Sequence, residues 1–354
     1  LYVGTSNGLA VLNLDDYSCQ YFREENSDII GNDIKMISCF DADRIAIGTS
    51  EGMSLFLISS HTFENYSSSL IDRTSLPHET VWCSFEDAMG IVWFGTGNGV
   101  SKVNKHWNSL DIIRVFGNST GEIKELMAND IIMDEDGTLW IGTNQGLKIF
   151  RYGEPSHKVY TSLYGGLPND NIKRILKDIH GRIWVGTNDG IAYYEPGTDR
   201  FVKVIPDQPN ILFKYIYDMK VDVDGDILVN ISNGICIITL QYDGAGRISG
   251  LDFNSVRIDR LVSSSNTDIT YIDTDSQARI WFGTINDGLF CYKKRTGEIV
   301  QYSFDACNPN SINSNRIYSI HVDYNGYVWV GTDMGLNRLD PATGRFTRFT
   351  EDSD

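Results

Sequence analysis

The chain has 354 residues, 41% hydrophobic, 12% aromatic and 22% charged, which is enough apolar material for a buried core and too little charge for a disordered chain. Thirty Lys and Arg face 47 Asp and Glu, a formal charge of −17 whose field repels a phosphate backbone and argues against nucleic acid as a partner. No apolar run nears the roughly 18 residues of a membrane helix; the longest, such as Ile235–Leu240, have strand length.

Leu1-Tyr2-Val3-Gly4-Thr5 reads as a buried strand with no initiator Met or leader before it, so the chain reads as an excised piece of a longer protein. The phrase then returns as Ile45–Thr49, Val92–Thr96, Leu139–Thr143, Ile183–Thr187, a degenerate Ile227-Leu-Val-Asn-Ile231, Ile280–Thr284 and Val328–Thr332, eight copies in all. Marked at the Gly (or Asn230), the copies are spaced by 44, 47, 47, 44, 44, 53 and 48 residues. A period in the forties is one supersecondary unit.

The fourth copy shows what the unit holds. Asp130–Asp134 reads as a strand, Glu135-Asp136-Gly137 as a hairpin turn, Thr138–Thr143 as the next strand, then Leu147–Tyr152 and Lys158–Thr161 after further turns. The phrase is apolar at consecutive positions, so both faces of its strand are covered, and a four-stranded sheet covered on both faces needs a like sheet on each side. The expected fold is therefore all-β: a β-propeller of four-stranded antiparallel blades, formed as one domain over 1–354. Trp93, Trp140, Trp184, Trp281 and Trp329 are the wedges between blades, and the first blade lacks its innermost strand. Eight phrases suggest eight blades; seven would follow if a terminal copy belonged to a neighbouring propeller.

Several motifs suggest chemistry and are better read as structure. Gly4-Thr-Ser6-Asn-Gly8 and Gly48-Thr-Ser50-Glu-Gly52 match a nucleophile elbow, but the Ser position is Gly97, Asn144, Asn188 and Asp333 elsewhere, and a strand follows where an elbow needs a helix. Asp222-Val-Asp224-Gly225-Asp226 falls where every unit makes its first turn and lacks the spacing of a twelve-residue calcium loop. His61, His78, His106, His157, His180 and His321 stand singly, and the six cysteines read as free packing residues. No catalytic residue, metal ligand or cofactor site is expected.

Trp140-Ile-Gly-Thr-Asn-Gln-Gly-Leu147 and Trp329-Val-Gly-Thr-Asp-Met-Gly-Leu336, with linkers such as Leu167-Pro-Asn-Asp-Asn-Ile172 and Ser311–Ile317, resemble the two-component regulator propeller repeat. The resemblance implies the periplasmic sensor region of a hybrid two-component system of Bacteroidetes. There, a neighbouring propeller and a β-sandwich accompany the domain, a histidine kinase lies outside it, and the ligand is an oligosaccharide released from a glycan; a homodimer is an expectation of the signalling mechanism and not of the resemblance. Counting back five from the Asp that ends each innermost strand gives Trp82, Asn129, Lys173, Tyr217, Asp268 and Tyr318, with Lys35 in the first full unit. An apolar residue precedes most of them, so a constant site alternates with one that changes chemistry from blade to blade. Trp and Tyr faces stack on sugar rings, and Lys or Arg hydrogen-bonds their hydroxyls. Trp82, Lys173, Tyr215, Tyr217, Arg316 and Tyr318 are therefore the expected ligand-binding residues. The alternatives are a propeller-type polysaccharide lyase or glycosidase, which needs converging carboxylates, and a protein-interaction scaffold with a flat aromatic and Arg face.

Overall fold

The structure, a computed structural model, describes residues 1–350 apart from 70–74, 88–89, 105–109, 114–125, 152–157, 210, 233, 245, 260 and 263–266. Contacts divide the chain into two compact units, Leu1–Tyr164 with Asp170–Ile172, and Gly165–Asn169 with Lys173–Asp354. The described residues are all-β and form eight blades of a β-propeller, seven of four antiparallel strands and a first of three (Tyr2–Thr5, Gly8–Leu12, Cys19–Phe22). In each sheet the strands lie in chain order. The first strands of blades 2 to 8 are Ile34–Cys39, Val81–Glu86, Ala128–Met133, Ile172–Lys177, Met219–Val221, Ile269–Thr274 and Ile317–Val322.

Blade 4 has strands Ala128–Met133, Leu139–Thr143, Gly146–Phe150 and Lys158–Tyr160. Its first strand begins earlier than the sequence suggests because a register shift between Ala128 and Asp130 lets pairing continue past the irregularity. Tyr152 lies outside the described residues. Thr5-Ser6-Asn7-Gly8 joins two paired strands, so the elbow reading of Ser6 fails on geometry: no helix follows to aim the hydroxyl. In each intact phrase the Thr latches the turn that follows. Thr96 Oγ1 donates to Gly99 O at 2.8 Å and accepts from Asn98 N at 3.2 Å, and Thr143 and Thr187 do the same in their blades.

The wedge tryptophans are buried at the positions expected. Trp93 packs with Leu126, Ala128 and Ile131 of blade 4, Trp184 with Ile216, Met219 and Ile227 of blade 6, and Trp281 with Ile317 and Val328 of blade 8. Each indole also makes a bond that fixes its own hairpin. Trp Nε1 donates to the Asp six residues earlier: Trp93 to Asp87 at 3.1 Å, Trp140 to Asp134 at 2.7 Å, Trp184 to Asp178 at 2.9 Å, Trp281 to Asp275 at 2.9 Å and Trp329 to Asp323 at 2.8 Å. The carboxylate meanwhile accepts from the turn, as Asp178 Oδ1 does from His180 N and Arg182 N. In blade 7 the hairpin Asp is thus Asp275, not Asp273.

Two blades keep this site without its Trp, by different substitutions. In blade 2, Ala46 replaces Trp and Phe40, 1% exposed, replaces the Asp and fills the volume, with the Arg44 guanidinium 4.7 Å from its ring centroid. In blade 6, Leu228 replaces Trp and Asp222 keeps its carboxylate. The missing donor comes from blade 7: Lys294 Nζ lies 2.6 Å from Asp222, 2.8 Å from Asp224 and 2.6 Å from Asp226. Burial alone would lower the Lys294 pKa, but the three carboxylates outweigh it and hold the value above that of an ordinary lysine.

The phrase Gly is where the next blade sits closest. A Cβ on Gly186 would lie 2.5 Å from Ile216 Cγ2 and 2.7 Å from Met219 Sδ of blade 6. Gly4 and Gly283 meet Ile34 and Ile317 in the same way, whereas around Gly331 only Ser319 of its own blade comes near.

Candidate functional site

Seen in the fold, the position that changes from blade to blade is a β-bulge in five of the blades. The ladder skips a residue between Ile34 and Met36, Val81 and Cys83, Ala128 and Asp130, Ile269 and Tyr271, and Ile317 and Ser319. The skipped residues are Lys35, Trp82, Asn129, Thr270 and Tyr318; Lys173 and Tyr217 stand at the same distance before Gly186 and Asn230. A bulge residue is left out of the backbone ladder, so its side chain leaves the two-residue alternation of the strand. The residue before it is always apolar (Ile34, Val81, Ala128, Ile172, Ile216, Ile269, Ile317) and locks the strand into the sheet stack. In blade 7 the bulge residue is Thr270. Asp268, counted back from Asp273, instead aligns with Tyr215 and Arg316.

Bulge side chains reach toward the next blade. Within the first unit, Lys35 Nζ lies 5.5 Å from the Trp82 ring centroid and 2.6 Å from Asp33, and Asn129 Nδ2 donates to Ile172 O at 2.6 Å. Trp82 Nε1 is buried with no hydrogen-bond partner among the described residues. In the second unit, Thr270 Oγ1 donates to Ile317 O at 2.9 Å.

Of the six residues singled out from the sequence, Trp82 lies in the first unit and the other five in the second. Tyr215, Tyr217 and Tyr318 are 58%, 42% and 53% exposed. That is unusual for large rings in a sheet stack and leaves part of each ring open to solvent. Arg316 keeps a 4.0 Å contact with Asp333 and is half exposed, and Lys173 is half-buried. Burial raises the Tyr217 pKa, with the Asp268 charge adding to it.

A ladder of charges that the sequence did not disclose links the first strands of successive blades. Arg174 Nε is 3.3 Å from Asp218 Oδ1, and Asp218 Oδ2 accepts from Ile272 N of the next blade at 3.0 Å. Lys220 Nζ is 3.7 Å from Asp273, whose Oδ2 accepts from Val322 N at 2.9 Å and lies 3.9 Å from His321 Nδ1. Burial drives the Asp218 pKa up, against the pull of Arg174. Signals for this ladder were present as charged residues on alternate positions of the first strands, but their partners belong to other blades. The Asp222, Asp224 and Asp226 carboxylates are held on Lys294, and His106 and His157 lie outside the described residues. In the second unit these positions offer the aromatic faces of Tyr215, Tyr217 and Tyr318 and the cations of Lys173 and Arg316.

The model of the family described as "Two component regulator propeller" matches residues 75–98, 124–145, 166–189 and 311–334. Over 69 residues, a fifth of this chain and 5% of the other, the chain is 29% identical to histidine kinase P4 of Formosa agariphila. In fold it is similar to the extracellular domain of a hybrid two component system of B. thetaiotaomicron, with a TM-score of 0.57, 18% identity, and 97% of this chain and 60% of that one covered. It is also similar to an ancestral GH74 enzyme, with a TM-score of 0.62, 12% identity, and 95% of this chain and 51% of that one covered. The chain thus spans a small part of the kinase and less than two thirds of either structure. No helix among the described residues is long and apolar enough to cross a membrane.

Proposed function

Starting from a chain that carries two component regulator propeller repeats, we propose that it is the ligand-sensing part of a hybrid two-component regulator. It binds an oligosaccharide outside the cytoplasm, in the periplasm, and has no catalytic activity of its own. The observation that carries this is the row of bulge positions whose chemistry changes at every blade while the residue beside each stays apolar. Such a surface can be fitted to a ligand without disturbing the sheets. The exposed rings of Tyr215, Tyr217 and Tyr318 offer faces for the apolar side of sugar rings, and Lys173 and Arg316 offer donors for hydroxyls or a uronate. Asp218, the buried carboxyl held toward its neutral form, spends its oxygens on Arg174 and Ile272, which fits a structural member better than a general acid.

Signalling is then differential binding. A saccharide that prefers one arrangement of this region and its neighbours, a further propeller or a sandwich domain, shifts a dimeric receptor toward that state and so controls the kinase. Calorimetry with a panel of neutral and uronate oligosaccharides, with product analysis in parallel, tests this. Saturable binding without bond cleavage is expected; cleavage of any member would replace the sensor by an enzyme.

A further inference from the structure

Blade 6 is the one that departs from the phrase, with Asn230-Ile231 where others have Gly-Thr. Elsewhere the apolar residue before the bulge pairs with its own blade's Thr: Ile34 with Thr49, Val81 with Thr96, Ala128 with Thr143, Ile269 with Thr284 and Ile317 with Thr332. In blade 6 this ladder stops at the Met219–Val229 pair. The chain before it crosses to blade 5, where Ile216 N donates to Thr187 O at 3.1 Å and Tyr215 N to Asn188 O at 3.0 Å.

The Asn230 carboxamide bridges the break. Its Oδ1 accepts from Tyr217 N at 2.9 Å and Asp218 N at 3.3 Å, and its Nδ2 donates to Tyr215 O at 3.0 Å. Two unfavourable features persist here. Tyr215 has φ of 49°, a left-handed conformation that a bulky residue adopts only under constraint. Nearby, Asn188 Oδ1 is buried without a hydrogen-bond partner among the described residues. Packing does not compensate, since the Tyr215 ring is among the exposed ones. Strain of this kind, retained on an exposed aromatic, points to function before stability.

We infer that the departure of blade 6 from the repeat is a built ligand subsite: Tyr215 and Tyr217 form the platform for one sugar ring, and Asn230 is the positioning residue that holds it. This rests on the oligosaccharide-binding reading above and adds the place and the device.

The test uses the whole chain and the same panel of neutral and uronate oligosaccharides, with variants Asn230→Gly, Tyr215→Gly and Tyr217→Ala. Tyr215→Gly relieves the left-handed φ, so it is expected to melt at or above the wild-type temperature while binding at least tenfold more weakly. A residue retained for packing alone would lose stability instead. Asn230→Gly, which restores the Gly of the repeat phrase, should raise amide hydrogen exchange at Tyr217 and Asp218 at least tenfold and weaken binding similarly. Should Asn230→Gly not fold, the two Tyr variants decide the matter. Wild-type affinity in Tyr215→Gly and Tyr217→Ala overturns the subsite and leaves the sensor reading standing. A wild-type protein that binds no member of the panel overturns both, and unchanged exchange in Asn230→Gly overturns the positioning role by itself.

Discussion

Replacing Lys294 by Met leaves three carboxylates without their cation while keeping most of the side-chain volume. Asp222 is 1% exposed at its side chain and Asp226 12%, whereas Asp224 is 50% exposed. Two buried charges are therefore stranded and the third can turn to water. Removing one member of a buried ion pair costs about 3–5 kcal/mol because the remaining charge stays desolvated; with Asp226 partly wetted, the lower end, about 3 kcal/mol, applies. An unfolding entropy of roughly 2 cal/mol/K per residue over the whole chain converts this to a fall in Tm of roughly 4 °C, or roughly twice that if only half the chain melts as a unit. Thermal unfolding followed by circular dichroism at pH 7 reads it directly. A Tm within 1 °C of wild type would show that the triad is not a structural clamp.

Gly186→Ala should destabilise by about 1–3 kcal/mol because its methyl meets Ile216 and Met219, while Gly331→Ala, which meets only Ser319, should cost less; equal losses in chemical denaturation would contradict the packing. Cys236 and Cys291 have their thiols pushed up to about 12 by burial, so in a native thiol titration at pH 8 the exposed Cys19, Cys39 and Cys307 should react promptly and these two only after unfolding. Asp218 has its pKa raised in the folded state. Its contribution is therefore complete below the unfolded value of about 3.9 and is lost as pH rises through the higher folded value. The stability of wild type minus that of Asp218→Asn should fall over that interval; a flat or rising difference would refute the assignment.

The fold was legible because its determinants are local and repeated. A Gly-Thr phrase in seven of the eight copies and a consecutive apolar strand in all of them recur with the period, and together they specify the sheet and its burial on two faces. The variable position follows from its spacing to the hairpin Asp in blades 3 to 6 and in blade 8. Asp273 and Asp275 both lie near the end of the blade 7 strand, and only the indole of Trp281 tells which closes the hairpin. The constant six-residue spacing from Asp to Trp selects Thr270 in place of Asp268. What lay beyond the sequence was every contact made across blades: Lys294 to Asp222, Asp218 to Ile272, and Tyr215 to Asn188. These join residues 27 to 72 apart whose pairing depends on how one sheet stacks on the next. Asn230 showed itself only as a lapse in the pattern, although a polar residue in place of an obligate Gly was a usable signal.

The bulges have a consequence for how such a surface diversifies. Because the skipped amino acid takes no share in strand pairing, exchanging Lys for Trp or Tyr there leaves the alignment of its own sheet unchanged, and only the contact with the next module must adjust. Duplicated genes would thus inherit one chassis and drift apart mainly at these few positions, so that paralogues with nearly superimposable backbones could present quite different surfaces.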